Sequence, residues 1–413
     1  MKTVSKTKLA IHGGEKVCPV TWPSWPQHGP DEERRLLEVL RSGEWWFGEN
    51  VRRFEEEFAA WHGGRHVVTC TNGTTAIEAA LRACGVGRDD EVIVPAYTFI
   101  ATASAVVSVG AIPVFADIDG ETLCIDPDDV ARRVTPKTRA VIAVHVAGRI
   151  ANMARVTAIA EKHHLIVLED AAHAWGSRRA GRAAGTFGAC GTFSFQVSKN
   201  ITCGEGGAIV TDDDSIAELC RSSVNCGRTP DGAWYDHANL GSNQRLTEFQ
   251  AAVLLAQLAR ADEQLARRDR NALVLDERLK EIDGLRVTPS DQTMDRRSRH
   301  FYTFRLDTDA VGASRDAIVE AIQAEGVPVS PGWYRPLHDN AVFGNASSGA
   351  YHPVTNPLAG RGLDYARVNV PVCAQVCADI VWIPQHVLLA EECEIALVAD
   401  AIEKVVRRAA EVT

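Results

Sequence analysis

No apolar run in this 413-residue chain approaches the ~20 residues of a membrane-spanning helix. Residues Met1–Val20 mix lysine with polar residues and hold no apolar core of a secretory signal. Positive charge is also short. The 44 Lys and Arg stand against 54 Asp and Glu, a formal net charge of −10, which makes a poor general binder of nucleic acid or of an anionic membrane. Cysteine is present without a framework. The 11 cysteines are scattered, and the one close pair, Cys373 and Cys377, lacks a second pair or a histidine at metal-ligand spacing. An odd count in a chain of this size predicts reduced thiols in a cytoplasm, and no metal site is expected. There is no internal repeat, no low-complexity segment, no P-loop and no dinucleotide-binding glycine pattern. What is there is globular: 46% hydrophobic and 24% charged residues exclude disorder and coiled coil. The length suggests two to three units at the usual ~150 residues each.

Compact β-rich runs at His66–Thr71, Glu91–Pro95, Ile112–Asp117, Ala140–His145 and Leu165–Asp170 alternate with helical spacings, as at Thr75–Cys84 and Ala101–Val109. Such alternation predicts an α/β fold with a mostly parallel sheet and helices on both faces. Ligands gather at the carboxyl ends of strands in such sheets, which is where the polar residues of these segments fall. Thr247–Ile282 reads as one long helical connector. Phe301–Leu306 then reads as strand, Arg315–Glu325 as helix and Glu391–Ala409 as a closing amphipathic helix. A boundary near residue 275 divides the chain into an N-terminal arm (1–30), a large domain (31–275) and a smaller C-terminal domain (276–413). The loop-rich stretch Asn345–Gly362 is expected to be locally mobile.

Three segments carry chemistry. Thr71-Asn72-Gly73-Thr74-Thr75 lies between a strand and a helix, where backbone N–H groups, a glycine and hydroxyls can hold a phosphate; alone it is equally an ordinary N-cap. Glu169-Asp170-Ala171-Ala172-His173 follows an apolar run. A strand-end carboxylate there either holds the protonated ring nitrogen of a cofactor or caps the next helix. In Thr192–Asn200 a single lysine, Lys199, sits in an apolar, aromatic segment before Gly204-Glu205-Gly206-Gly207. A desolvated lysine is a nucleophile for aldehydes, although most lysines are solvated surface residues. The order of anion loop, acidic strand end and lysine is what pyridoxal phosphate requires.

At this point a family becomes recognisable. EVIVPAYTFIATASAV (Glu91–Val106), EDAAHAWGS (Glu169–Ser177), FSFQVSKNITCGEGGAIVT (Phe193–Thr211), GSNQRLTEFQAA (Gly241–Ala252), WYRPLH (Trp333–His338) and WIPQH (Trp382–His386) resemble, in order, the motifs of the DegT-type (DegT/DnrJ/StrS) sugar and cyclitol aminotransferases. The resemblance implies a fold-type I transferase dependent on pyridoxal 5'-phosphate, with a large domain around a seven-stranded, mostly parallel mixed sheet and a smaller C-terminal α+β domain. It implies Lys199 as the Schiff-base lysine and Asp170 as the partner of the pyridine nitrogen. His173 is placed near the ring oxygen, Gly73, Thr74 and Ser194 on the phosphate, and Phe99 over one face of the ring. Asn243, with Arg245 as its rival, is matched to a position reaching the cofactor phosphate of the neighbouring subunit, and hence to a homodimer with shared sites. Tyr334 and His338 are implied to bind substrate.

The implied reaction moves an amino group from L-glutamate or L-glutamine to a ketosugar or cyclitol ketone in amino-sugar or aminoglycoside biosynthesis. Gln196 stands where relatives acting on nucleotide-linked sugars often have His. The opening Lys8–Gly14 also looks more like the enzymes of cyclitol ketones and the 3-amino-5-hydroxybenzoate synthases. Arg335 is the lone candidate near Trp333–His338 for a diphosphate. Trp45, Trp46, Trp234 and Tyr235 could line a polyol pocket or pack an interface. The alternatives are an aminotransferase of nucleotide-linked ketohexoses, a 3-amino-5-hydroxybenzoate synthase-like enzyme, a pyridoxamine-dependent sugar dehydratase and a non-catalytic cofactor-binding regulator. The dehydratases replace the lysine, which this chain keeps.

Overall fold

The computed structural model describes residues 8–229, 231–288, 291, 293–344, 358 and 363–412. Short β-branched and apolar runs form the strands. In chain order these are β1 (His66–Cys70), β2 (Glu91–Pro95), β3 (Ile112–Ala116), β4 (Thr138–Val144) and β5 (Ile166–Asp170). The brief β6 (Arg178–Arg179) and β7 (Arg182–Ala183) precede β8 (Cys190–Ser194) and β9 (Gly207–Thr211). The last third adds β10 (Leu285–Val287), β11 (Met294–Arg296), β12 (Phe301–Leu306) and β13 (Ile380–Pro384).

Seven strands form the main sheet in the order β1-β9-β8-β5-β4-β2-β3. β9 runs antiparallel to both neighbours, and the remaining pairs are parallel. β8 and β9 are buried at every position, as strands covered on both faces should be. An antiparallel sheet, β10-β12-β13, anchors a second core with the helices Arg315–Ala324 and Glu392–Arg407. Leu9 and Cys18 belong to that second core. Glu325, fully buried against Lys404, accepts from the backbone N–H groups of Ala10 (2.9 Å) and Val17 (3.0 Å) and so fastens the start of the chain there. The main core in turn takes in residues from late in the chain, among them Leu337, Phe343, Tyr365 and Cys373, and the Tyr365 hydroxyl donates to the Pro113 carbonyl (3.0 Å).

The segment expected as one helix over Thr247–Ile282 is two helices, Glu248–Ala259 and Ala261–Leu279. They part at Arg260 (φ −108°, ψ 3°), whose guanidinium turns to Glu32 and the Gln27 carbonyl. The apolar spacing runs through the break, so only the tertiary contact marks it. Apart from Leu358, the stretch Asn345–Gly362 lies outside the described residues. Among those residues no helix is long and apolar enough to cross a membrane. All 11 cysteines are free thiols.

Candidate active site

β5 ends on Asp170, β8 ends on Ser194, and β1 leads directly into Thr71-Asn72-Gly73. Three parallel strands therefore deliver their last residues to one edge of the sheet. Asn72 caps the helix Gly73–Ala83: its Oδ1 accepts from the Thr75 N–H (2.9 Å), and its own N–H donates to Thr75 Oγ1 (3.2 Å). Other N–H groups of that first turn stay free to meet an anion. Gly73 approaches β8 so closely that a Cβ there would lie 2.8 Å from the Ser194 Cβ. Asn72 and Thr75 supply the cap, while Gly73 supplies the close approach.

Asp170 is buried, and its carboxylate is held at both oxygens. Thr102 Oγ1 donates to Oδ2 (2.8 Å) and the Ala172 N–H to Oδ1 (3.2 Å). The Thr102 hydroxyl lies 2.8 Å from that of Thr98, four residues earlier in the chain. Lys199 lies nearby, 5.9 Å from the Trp175 ring centre. Burial lowers its pKa from 10.5 to about 8, against an upward pull from the Asp170 charge. Burial, with the Lys199 charge adding to it, pushes His173 well below the usual imidazole range, and among the described residues no group bonds its Nδ1.

A cavity of about 750 Å³ brings Gly73, Thr74, Phe99, Asp170, His173, Ser194 and Lys199 together. Phe99, 59% exposed, presents its ring at the wall. The donor set fits pyridoxal phosphate: an anion cradle that a Cβ would fill, an oriented carboxylate, a neutral histidine with an unbonded nitrogen, and an amine that is easily deprotonated. Among the described residues, no group of three or more His, Cys, Asp or Glu could hold a metal ion.

The structure does not bring the other three candidates to this cavity. His338 is buried against Phe115 (ring centres 5.8 Å apart), because the Leu337 N–H donates to the Ala96 carbonyl (2.8 Å) and fixes that turn beyond β2. Tyr334 is 64% exposed, with the Arg335 guanidinium 5.0 Å from its ring centre. Asn243 forms an isolated bridge with Asn225, and Arg245 beside it bonds Asn225 Oδ1 (3.0 Å) and lies 5.0 Å from the Trp46 ring centre. Conversely, the cavity is lined by Thr98, Gln196, Glu205, His300, Phe301, Trp333 and Trp382, to which sequence reasoning had given no place on the cofactor. Thr102 was missed as well. The four-residue spacing of Thr98 and Thr102 could have suggested a hydroxyl pair; nothing local marks His300 or Phe301.

This sheet and this donor set define a fold-type I, pyridoxal-phosphate-dependent aminotransferase. The model of the DegT/DnrJ/EryC1/StrS aminotransferase family matches residues 26–403, and the chain belongs to that family. It is 38% identical to an L-glutamine:2-deoxy-scyllo-inosose aminotransferase of Streptomyces kanamyceticus, over 98% of this chain and 99% of the relative. Identity to a 3-amino-5-hydroxybenzoate synthase of Amycolatopsis mediterranei (strain S699) is also 38%, over 94% and 98%. The crystal structure of a 3-amino-5-hydroxybenzoic acid synthase is similar with a TM-score of 0.85 and 37% identity, over 95% of this chain and 100% of that one.

Proposed function

We propose that this aminotransferase moves the α-amino group of L-glutamine onto the ketone of an unactivated cyclitol or ketosugar, in the making of an aminoglycoside-type product. The observation that carries this reading is the charge of the cavity. Among its described lining residues Lys199 is the one Lys or Arg, beside the acidic Asp170 and Glu205. A nucleotide-linked sugar would bring a diphosphate with no arginine among the described lining residues to meet it. Phe301, Trp333 and Trp382 offer flat apolar faces that suit the C–H face of a ring. The named activities of the two relatives, one of them acting with L-glutamine, support a cyclic substrate and that donor.

The bound cofactor supplies a reactive carbonyl carbon and an electron-accepting ring. The chain supplies the rest. Lys199 would be the covalent attachment point, and its freed amine would take the proton from the donor's α-carbon and later return one to the product carbon. Asp170, oriented by Thr102, keeps a proton on the ring nitrogen. Gly73, Thr74 and Ser194 would hold the phosphate, Phe99 would cover the ring and His173 would meet its oxygen. The loop with Asn243 and Arg245, which does not line its own cavity, completes the site of a second subunit in a homodimer, and the enzyme works in the cytoplasm. The chain is accordingly divided into an arm (1–30), a cofactor domain (31–275) and a smaller domain (276–413).

The test is an acceptor panel with L-glutamine as donor, read by mass spectrometry. Aminated 2-deoxy-scyllo-inosose is expected. Amination of a nucleotide-linked ketohexose in its place would overturn the substrate class.

A further inference from the structure

Asn200, next to Lys199 in the chain, is buried and makes two hydrogen bonds to the segment before β12. Its Nδ2 donates to the Ser298 carbonyl (2.7 Å), and its Oδ1 lies 2.9 Å from His300 Nδ1. The first bond fixes which way the amide points, because a carbonyl can only accept. Oδ1 therefore faces the imidazole as an acceptor, and His300 Nδ1 must carry the proton. Ser298 ties the same unit to the cofactor side of the cavity, since its hydroxyl donates to the His173 carbonyl (2.5 Å).

His300 is buried, with its ring centre 4.2 Å from that of His173. Burial, reinforced by the Lys199 and Arg268 charges, pushes it well below the usual imidazole range, so the ring is neutral. With Nδ1 protonated, Nε2 is a bare lone pair. Among the described residues Nε2 has no hydrogen-bond partner, and His300 lines the cavity.

We propose that Asn200 sets the tautomer of His300 so that its Nε2 accepts a hydrogen bond from a hydroxyl of the keto acceptor. Asn200 is then a positioning residue and His300 a specificity-determining one. The inference rests on the polyol-ketone reading for the identity of the ligand, and on the geometry alone for the tautomer.

Two measurements separate these. The first uses the free chain labelled with nitrogen-15 histidine, the His300 signals being assigned by their loss in His300→Gln. The Nδ1–H tautomer is expected in the wild type, with a shift toward the other tautomer in Asn200→Leu. An Nε2–H tautomer in the wild type would overturn the proposal whatever the substrate. The second compares His300→Phe with His300→Gln, both loaded with cofactor, using L-glutamine and 2-deoxy-scyllo-inosose. Phe cannot accept a hydrogen bond, whereas the Gln side-chain oxygen can. In His300→Phe, kcat/KM for the acceptor should fall about tenfold further than kcat/KM for the donor, roughly what one hydrogen bond contributes, and Gln should restore much of it. Equal losses for both reactants, or equal losses in Phe and Gln, would make the role structural. The expected tautomer together with an inert acceptor would leave the Asn200–His300 geometry standing and count against the polyol-ketone reading.

Discussion

Thr102 Oγ1 donates a 2.8 Å hydrogen bond to Asp170 Oδ2, across 68 residues of sequence, and so sets the direction in which the Asp170 carboxylate faces the cavity. The helix Ala101–Ser108 thereby orients a group on β5. Thr102→Val keeps the shape of the side chain and removes the donor. Activity should fall about tenfold or more, the scale of a hydrogen bond to a charged group. Steady-state kinetics on cofactor-saturated enzyme would show it, and an unchanged kcat/KM would mean the bond does nothing for catalysis.

Asp170→Asn should cost far more, about 3–4 kcal/mol of transition-state stabilisation or ~10²–10³ in rate, because the charge that holds the ring proton is gone. Near wild-type turnover would assign the pyridine nitrogen another partner.

The Lys199 amine supplies a pH signature. Its reaction with an aldehyde needs the neutral form, so uptake of pyridoxal phosphate by the free chain should rise with pH through about 8. Asp170→Asn removes the charge that favours the ammonium, so the midpoint should move down. The same titration bears on stability. Between about 8 and the ordinary 10.5 the folded chain binds fewer protons at Lys199 than the unfolded chain does, so stability rises with pH across that window. Lys199→Met should therefore raise the Tm of the free chain at pH 7, by a margin that shrinks toward pH 10. A margin independent of pH would show that the amine is not desolvated.

Gly73→Ala would press a methyl group to within 2.8 Å of the Ser194 Cβ. Overpacking of this kind costs about 1–3 kcal/mol, and here it would close the proposed phosphate cradle. Weaker cofactor binding is expected, measured by absorbance titration, together with a lower Tm. Unaltered affinity would remove the phosphate from this turn.

Much of this arrangement was readable in advance where one segment of chain carried the information. In EVIVP an apolar run follows Glu91 and is closed by proline, and β2 is Glu91–Pro95. Asp170 was legible because it closes such a run, whereas Ser194 came only with the family resemblance. What stayed hidden depends on distant contacts. His300 reaches the cavity 130 residues after Asp170 and is set there by Asn200 and Ser298; no local pattern encodes that meeting. The break at Arg260 lacks a glycine or proline and follows from Glu32, far away in sequence. His338 has the look of a binding residue by motif, yet the Leu337–Ala96 hydrogen bond seats it against Phe115.

The proposed homodimer with composite sites makes a quantitative prediction. Subunits carrying Lys199→Ala and subunits carrying Asn243→Ala, each inactive alone, should regain activity when mixed. With random exchange about half of the dimers are mixed and each holds one intact site, so up to roughly a quarter of wild-type activity should return. No recovery despite demonstrated exchange would keep Asn243 out of the partner's site.

The most direct test of the whole account follows one nitrogen atom. The cofactor-loaded enzyme is given 2-deoxy-scyllo-inosose and L-glutamine labelled with nitrogen-15 at the α-amino position, and the product is analysed by mass spectrometry. The account predicts a labelled amine on the former carbonyl carbon, with none formed by Lys199→Ala. An unlabelled aminated product, or labelled product formed equally well without Lys199, would contradict it.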